Sequence, residues 1–222
     1  DEETLVVQNL GNDKTDDCAI GITDQNRIVI AYGVNASQDE TNGNHIRVAR
    51  LAEPNAIYFD KTWHIRTVAE NVYDAGSDSL NLEIDTDSKI HIFFRESTMH
   101  GLKHLWFNKA FWNQTILDQG PIGSDIEVKI DSQSTIHTVY TYLSNDNSTQ
   151  NEVRLLRFNE TTQSTQILAR SMSVSEAIGM DLDSNNIEQI AYSTTNSSSH
   201  QISLLRSLAG KDTGRINPVP SN

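Results

Sequence analysis

The sequence has little cysteine and no long apolar run. Cys18 is the only cysteine among the 222 residues, so no disulfide can form within the chain. It lies inside an apolar stretch, where we expect the thiol to pack as a small hydrophobic group. No stretch approaches the roughly 18 apolar residues of a membrane-spanning helix. We therefore predict no membrane span.

Basic residues are scarce as well. The sequence has 17 Lys and Arg against 30 Asp and Glu, a formal net charge of −13. A field of that sign repels phosphate groups and anionic lipids, so neither nucleic acid nor an anionic membrane surface is an expected partner. The first residue is an aspartate, with neither an initiator methionine nor a signal-peptide pattern. This indicates that the chain is part of a larger polypeptide.

Three common catalytic signatures are missing. The sequence has no Gly-x-Ser-x-Gly, no glycine-rich phosphate loop and no His-Glu-x-x-His. Because these signatures are missing, we assign no catalytic residue. Helical periodicity is weak throughout.

One pattern is repeated four times. Each copy has an alternating apolar run, an aspartate, a short polar turn and a second β-rich run that ends in an aromatic residue. The copies occupy residues 17–32, 78–94, 124–140 and 176–192, with Asp24, Asp85, Asp131 and Asp183 as the turn residues. The spacing suits a unit of about four short strands rather than a helical repeat.

Further β-rich runs follow each copy, so each unit is predicted to be a four-stranded antiparallel meander. In three copies the run before the aspartate alternates between apolar and polar residues, which is typical of a half-buried strand. The first copy, CAIGIT, is apolar on both faces. We expect it to be buried differently.

Such sheets cannot bury both faces alone, so they are expected to stack and preferably close in a ring. The repeat resembles a β-propeller blade and is loosely similar to the sialidase-like and lectin-type propellers. The resemblance implies a single all-β domain over residues 1–222, and residues 4–10 are predicted to supply the strand that closes the ring. A five-bladed ring or an open repeat array is the alternative. The four predicted four-stranded blades span approximately 11–72, 73–119, 120–171 and 172–217.

Carboxylates recur near the start of each inner strand. In a ring they would surround the channel mouth, where their oxygens could hold a cation such as calcium. Solvated polar side chains lining the channel are the alternative. No other cofactor is expected. The candidate metal ligands are Asp17, Asp78, Asp125 (after Ser124) and Glu176.

Aromatic and basic residues at repeated positions are the candidates for ligand binding. Trp63 and Trp112 begin equivalent fourth strands, which favours packing between blades over a stacking platform for sugar rings. His91 and His137 match in the second strands, where core or interface roles are favoured over catalysis. The candidate ligand-binding residues are Arg95, His100, Trp106, Trp63 and Trp112, and the matching third-strand positions hold Arg50, Trp106, Arg157 and Arg206.

Long polar loops on one face of the predicted propeller indicate where a ligand would bind. Our leading prediction is a non-catalytic recognition or adhesion module of a secreted or cell-surface protein, with a glycan or protein ligand. The first alternative is a carbohydrate-active hydrolase or lyase that uses carboxylates at the channel mouth. The second is a structural spacer or oligomerisation domain. The loops span residues 33–44, 95–101, 141–152 and 193–200.

Overall fold

Each of the four repeats folds into its own antiparallel sheet. The computed structural model describes residues 17–34, 45–51, 63–70, 80–95, 101–108, 110–143, 150–171, 174–196 and 199–206. The strands in these ranges are β1 (Cys18–Ile22), β2 (Ile28–Val34), β3 (His45–Leu51), β4 (Trp63–Glu70), β5 (Asn81–Ile84), β6 (Ile90–Arg95), β7 (Leu102–Phe107), β8 (Trp112–Asp118), β9 (Ile122–Ile130), β10 (Ile136–Tyr142), β11 (Asn151–Phe158), β12 (Gln163–Ser171), β13 (Val174–Leu182), β14 (Glu188–Asn196) and β15 (Ser199–Arg206).

The sheets are meanders in which strands adjacent in sequence pair. The first three have the orders β1-β2-β3-β4, β5-β6-β7-β8 and β9-β10-β11-β12, and the fourth contains β13-β14-β15 within the described residues. The all-β prediction is therefore confirmed. The predicted closing strand, residues 4–10, lies outside the described residues, and the strands that are described form no closed sheet. The four-bladed ring stays a prediction.

The chain divides into two compact units, which we call the N-terminal unit (Asp1–Gln119) and the C-terminal unit (Gly120–Asn222). Each contains two sheets with an apolar core between them. In the N-terminal unit, Val29 and Val48 of the first sheet pack with Leu82 and Ile92 of the second. In the C-terminal unit, the core combines Val139, Val153, Leu155, Met180 and Ile190. The predicted single domain stays a prediction.

The second strand of a sheet is its most buried strand. β6 (IHIFFR) is buried at every position and β10 (IHTVYTY) at every position but the last. Each is flanked by strands on both sides and has apolar residues on both faces. The inner strands alternate as predicted, since Leu82 and Met180 are buried whereas Glu83 is half-buried and Asp181 is exposed.

Three of the hairpins between inner and second strands share one turn. In each, the aspartate Oδ1 accepts hydrogen bonds from the backbone N–H groups two and four residues later, at 2.8–3.0 Å. The residue three positions later has a left-handed φ of 59–61°, which small polar residues tolerate. The aspartates are Asp85, Asp131 and Asp183, followed by Ser88, Ser134 and Asn186.

The first hairpin shows that Asp24 was the wrong choice of turn residue. Its left-handed residue is Asn26, with φ of 56°, three residues after Thr23. Thr23 Oγ1 accepts the N–H of Arg27 at 3.1 Å, and the Thr23 N–H donates to the Arg27 carbonyl at 3.0 Å. Thr23 therefore holds the position of the aspartates. The first repeat is shifted by one residue from the predicted alignment.

Apolar side chains of β1 are exposed to solvent. Cys18, Ile20 and Ile22 occupy the positions that carry core residues in the other inner strands. Here Ile20 is 65% and Ile22 62% exposed. Cys18 is exposed as well, so its expected burial is wrong.

Candidate functional site

Two adjoining cavities lie along the seam between the first and second sheets of the N-terminal unit. The larger, of about 400 Å³, is formed by the first hairpin, Ser88 and Ile90. The smaller, of about 160 Å³, is formed by β3, β4 and the β7–β8 hairpin. Arg50 and Phe107 line both cavities, and we call the two cavities together the seam groove.

The Arg50 guanidinium is held against aromatic rings of the second sheet. Its central carbon lies 4.1 Å from the centroid of Phe107 and 5.7 Å from that of Trp112. Phe107 ends β7 and Trp112 begins β8, and the turn between them is closed by Asn108, whose Oδ1 accepts two backbone N–H groups. The two rings are 5.3 Å apart. Cation–π contact fixes the guanidinium at the groove wall.

The electrostatics of the seam groove are unusual for so acidic a chain. Burial, and then the nearby positive charge of Arg66, lowers the pKa of Arg50 from its ordinary value. His64 lies opposite Arg50 in the β3–β4 register and is exposed, as is Arg66. Within the described residues, no carboxylate pairs with Arg50 or Arg66.

The matching arginines of the C-terminal unit do have carboxylate partners. The strand registers confirm that Arg50, Arg157 and Arg206 are equivalent. Arg157 donates to Glu188 and, at 3.2 Å, to Gln166. Arg206 Nη2 lies 3.0 Å from Asp183 Oδ2. Arg50 therefore differs from its counterparts in having aromatic rings and a second arginine as neighbours.

One carboxylate does line the larger cavity. Asp24 lies at its rim, where it hydrogen-bonds to Ser88 through both its backbone N–H and its side chain. Arg27 also lines that cavity. Among the described residues, the lining of the smaller cavity includes Arg50, His64 and Arg66 and no acidic side chain. The positive end of the seam groove is therefore at β3 and β4.

A buried polar chain runs through the second sheet. Asp85 Oδ2 lies 3.3 Å from His91 Nε2, and His91 Nδ1 lies 3.0 Å from His104 Nε2. The His104 ring stacks on Phe93 at 4.6 Å and on Trp106 at 4.9 Å. Burial, and then the neighbouring His91, holds the pKa of His104 well below its ordinary value. His91 is a core group, as its repeated position indicated, and His104 is buried beside it.

The third sheet carries a related chain. His137 Nε2 lies 3.3 Å from Asp131 Oδ2, and His137 Nδ1 lies 2.7 Å from Glu188 Oε1 of the fourth sheet. Burial raises the pKa of Glu188, but the hydrogen bonds from His137 and Arg157 outweigh it and leave that pKa well below the ordinary value. The chain is a buried brace between two sheets of the C-terminal unit.

The structure places the predicted ligand-binding residues in different surroundings. Trp112 borders the seam groove. Trp63 packs beside Tyr32 and Val34 in the first sheet, and Trp106 is half-buried on His104. Arg95 is buried at the end of β6, and His100 lies outside the described residues. Their role in ligand binding stays a prediction.

The predicted carboxylate collar is only partly described. Asp17 Oδ2 accepts the Leu80 N–H at 2.9 Å, and Asp125 Oδ2 accepts the Ile178 N–H at 3.1 Å. Each aspartate therefore braces the inner strand of the next sheet in its unit. Asp78 and the side chain of Glu176 lie outside the described part of the structure. Within that part, no three or more His, Cys, Asp or Glu side chains are grouped to hold a metal ion. The cation site stays a prediction.

Sequence reasoning named Arg50 only as a member of a repeated set and did not assign it a site. Its distinguishing feature is that no acidic partner is found for it in the described part of the chain, which depends on contacts between strands far apart in sequence. One local signal was present. The β4 text WHIRTV adds His64 and Arg66 to the basic residues of β3. Charge clustering on adjacent strands would have pointed to this surface.

No protein-family model and no curated protein matches the chain. Solved structures do resemble it in fold. Zg3597, a family 117 glycoside hydrolase from Zobellia galactanivorans, aligns with 96% of this chain and 72% of its own, at TM-score 0.56 and 10% identity. A polysaccharide lyase, the PL25 ulvan lyase bound to -[GlcA(1-4)Rha3S]-, aligns with 100% of this chain and 61% of its own, at TM-score 0.60 and 14% identity.

The endo-arabinase from Bacteroides thetaiotaomicron aligns with 99% of this chain and 85% of its own, at TM-score 0.51 and 10% identity. These likenesses define a propeller-type fold, as the repeat predicted. Our leading functional prediction, a non-catalytic recognition module, was wrong, since the solved structures that share this fold are mostly enzymes acting on carbohydrates. The alternative prediction of a hydrolase or lyase fits them better.

The described residues contain no helix with the length and hydrophobicity of a membrane span.

Proposed function

We propose that this protein is a carbohydrate-active hydrolase or lyase. The observation that carries the proposal is the set of enzymes sharing its fold along nearly the whole chain: a glycoside hydrolase, an ulvan lyase and an endo-arabinase. The seam groove lies at the turn ends of β1 and β5, apart from the starts of these inner strands. It supports the proposal as a separate sugar-binding surface, since its aromatic wall and arginines suit a polar ring with apolar faces. A glycan is the proposed ligand.

The catalytic groups are proposed among the carboxylates near the starts of the inner strands. Glycoside hydrolysis needs two carboxyl groups, about 5–5.5 Å apart with retention and roughly 6.5–9.5 Å apart with inversion. Asp17 and Asp125 are engaged with the backbone of the next strand. Asp78 and Glu176 are therefore the residues to test first. A channel-bound cation such as calcium remains part of the proposal.

The test is a turnover screen against a panel of neutral and acidic polysaccharides. A hydrolase releases new reducing ends, whereas a lyase also forms an unsaturated sugar that absorbs ultraviolet light. We expect Asp78→Asn or Glu176→Gln to lower turnover by about 10²-fold or more, the range for loss of a general acid or base. Thermal unfolding checks that each variant remains folded.

Asp87→Asn is the matched control. Asp87 is an exposed residue of the β5–β6 turn that does not line the seam groove, and its loss removes the same charge. We expect it to leave turnover unchanged. A folded wild-type protein that converts no polysaccharide of the panel would contradict the proposal. Secretion or display at the cell surface, where such polysaccharides occur, is proposed with it.

A further inference from the structure

The difference among the three equivalent arginines has a chemical meaning. Arg157 and Arg206 are neutralised by Glu188 and Asp183, whereas Arg50 faces Arg66 with no carboxylate pairing within the described residues. Two like charges beside the groove favour an anion there, because an anion offsets their repulsion and the lost hydration of the partly buried Arg50. The groove is thus complementary to negative charge in a protein whose net charge is −13.

The walls of the groove favour a sugar as the carrier of that charge. Phe107 and Trp112 supply apolar ring surface next to the arginines. The larger cavity, of about 400 Å³, falls within the roughly 300–1,000 Å³ of small-molecule sites. The adjoining smaller cavity, of about 160 Å³, offers further space beside the same Arg50 and Phe107. Nucleic acid fits less well, since its dense phosphate charge meets the negative field of the whole chain.

We infer that the seam groove is a binding subsite for an anionic glycan, with Arg50 and Arg66 contacting a sugar carboxylate or sulfate beside Phe107 and Trp112. Arg50 is fixed by its aromatic contacts and presents planar donors that match either oxyanion. His64, opposite Arg50 in the register, supplies a further polar contact. This inference rests on the proposed function and specifies its substrate class.

The experiment measures binding of three oligosaccharides to the full chain by titration calorimetry. An oligogalacturonate presents carboxylates, a carrageenan oligosaccharide presents sulfates, and a neutral galactan oligosaccharide of the same length presents neither. We expect binding to at least one anionic oligosaccharide and weak or no binding to the neutral one. The stronger anionic ligand identifies the charged group. Affinity is expected to fall as salt rises.

Arg50→Gln and Arg66→Gln are each expected to weaken that binding about tenfold or more, the usual effect of losing a charge-assisted hydrogen bond. Arg206→Gln is the matched control, because it removes the equivalent arginine from the fourth sheet and is expected to change nothing. Arg66 is exposed on β4, so its variant tests the inference even if Arg50→Gln unfolds.

Three outcomes would overturn the inference: no binding of either anionic oligosaccharide, equal binding of the neutral one, or binding that both arginine variants leave intact. A single-stranded DNA oligomer that binds more tightly than the sugars would replace it. Turnover is scored separately. If the protein converts a neutral polysaccharide but binds neither anionic oligosaccharide, this inference is wrong and the proposed function stands. If it binds an anionic oligosaccharide but converts no polysaccharide, the proposed function is wrong and this inference stands.

Discussion

Two glycines of the C-terminal unit have very different surroundings, since Gly123 is buried and Gly179 is exposed. A Cβ built on Gly123 of β9 would overlap Thr141 Oγ1 and lie 3.0 Å from Thr141 Cβ, whereas one built on Gly179 of β13 has no atom within 4 Å. Thr141 is buried, so it has little room to move away. Packing therefore requires glycine at position 123 but not at position 179.

We predict that Gly123→Ala lowers the free energy of unfolding by about 1–3 kcal/mol, the usual cost of overpacking. Gly179→Ala is the matched control and is expected to be neutral or to raise that free energy by up to about 1 kcal/mol, because alanine restricts the unfolded chain. Urea unfolding of both variants gives the comparison. Equal effects would show that Thr141 does not confine Gly123.

His104 leads to a prediction about acid sensitivity. Its pKa is held well below the ordinary value by burial and then by His91, so the folded protein keeps it neutral. The unfolded chain regains a pKa of about 6.5 and binds a proton below that pH. The free energy of unfolding is therefore expected to fall as pH drops from about 7 to 5, by at most about 1.4 kcal/mol per pH unit for this group.

Urea unfolding at several pH values in that range tests the prediction. His104→Phe keeps a ring between Phe93 and Trp106 and removes the titrating group. The variant is expected to show a shallower decline than the wild type, with the remainder due in part to His91, whose pKa burial also lowers. Identical slopes would be evidence against a neutral, buried His104.

At the scale of elements, the hairpin turn is the most regular device of the fold. The Asp131 and Asp183 carboxylates each accept hydrogen bonds from the backbone N–H groups two and four residues later. They differ in the second oxygen, since Asp131 reaches buried His137 and Asp183 reaches exposed Arg206. One turn geometry therefore exists with a buried partner and with a solvated one.

We predict that Asp131→Ala lowers the free energy of unfolding by about 2–3 kcal/mol, because it removes the hydrogen-bond partner of Nε2 of the buried His137. Asp183→Ala is expected to lower that free energy clearly less, because Arg206 is exposed and water can take the place of the lost carboxylate. Both residues lie in the C-terminal unit, so a single unfolding transition reports on both. A larger loss from Asp183→Ala would show that the turn, rather than the His137 contact, carries the stability.

Strands and their order could be predicted from the sequence because alternation and repetition are local signals. The equivalence of Arg50, Arg157 and Arg206 followed from the same signals. The first turn was misassigned because Thr23 and Asp24 are adjacent and the more common turn residue was chosen. Only the left-handed Asn26 fixes the register there.

The seam groove could not be predicted in the same way. It depends on Arg50 of the first sheet meeting Phe107 and Trp112, which lie more than fifty positions later in the chain. A repeat pattern states which positions are equivalent within sheets. It does not predict which side chains are in contact between two packed sheets, or whether a given arginine pairs with a carboxylate there.

For the whole molecule, negative charge and exposed apolar residues act in opposite directions. The net charge of −13 keeps copies apart at neutral pH. Ile20 and Ile22 on β1 and Ile202 on β15 are more than half exposed, and β1 is the edge of its sheet. Exposed apolar edge strands favour self-association once charge repulsion is removed.

We predict that light scattering shows association near the sequence pI of about 4.8 and a dispersed protein at pH 7.5. The double variant Ile20→Ser, Ile22→Ser is expected to reduce that association while leaving thermal unfolding at pH 7.5 little changed, since neither side chain is in the core. Val29→Ser, a core substitution, is the contrasting control and is expected to lower the unfolding temperature. Unchanged association in the double variant would remove β1 from the explanation.

The ring nitrogens of His91 and His104, joined at 3.0 Å and shielded by stacked rings, supply a natural spectroscopic probe. A proton held between two buried imidazoles exchanges slowly with water, so its magnetic resonance signal should persist, well separated from the amide region, without any label. The temperature or denaturant concentration at which that signal disappears would show when the second sheet opens.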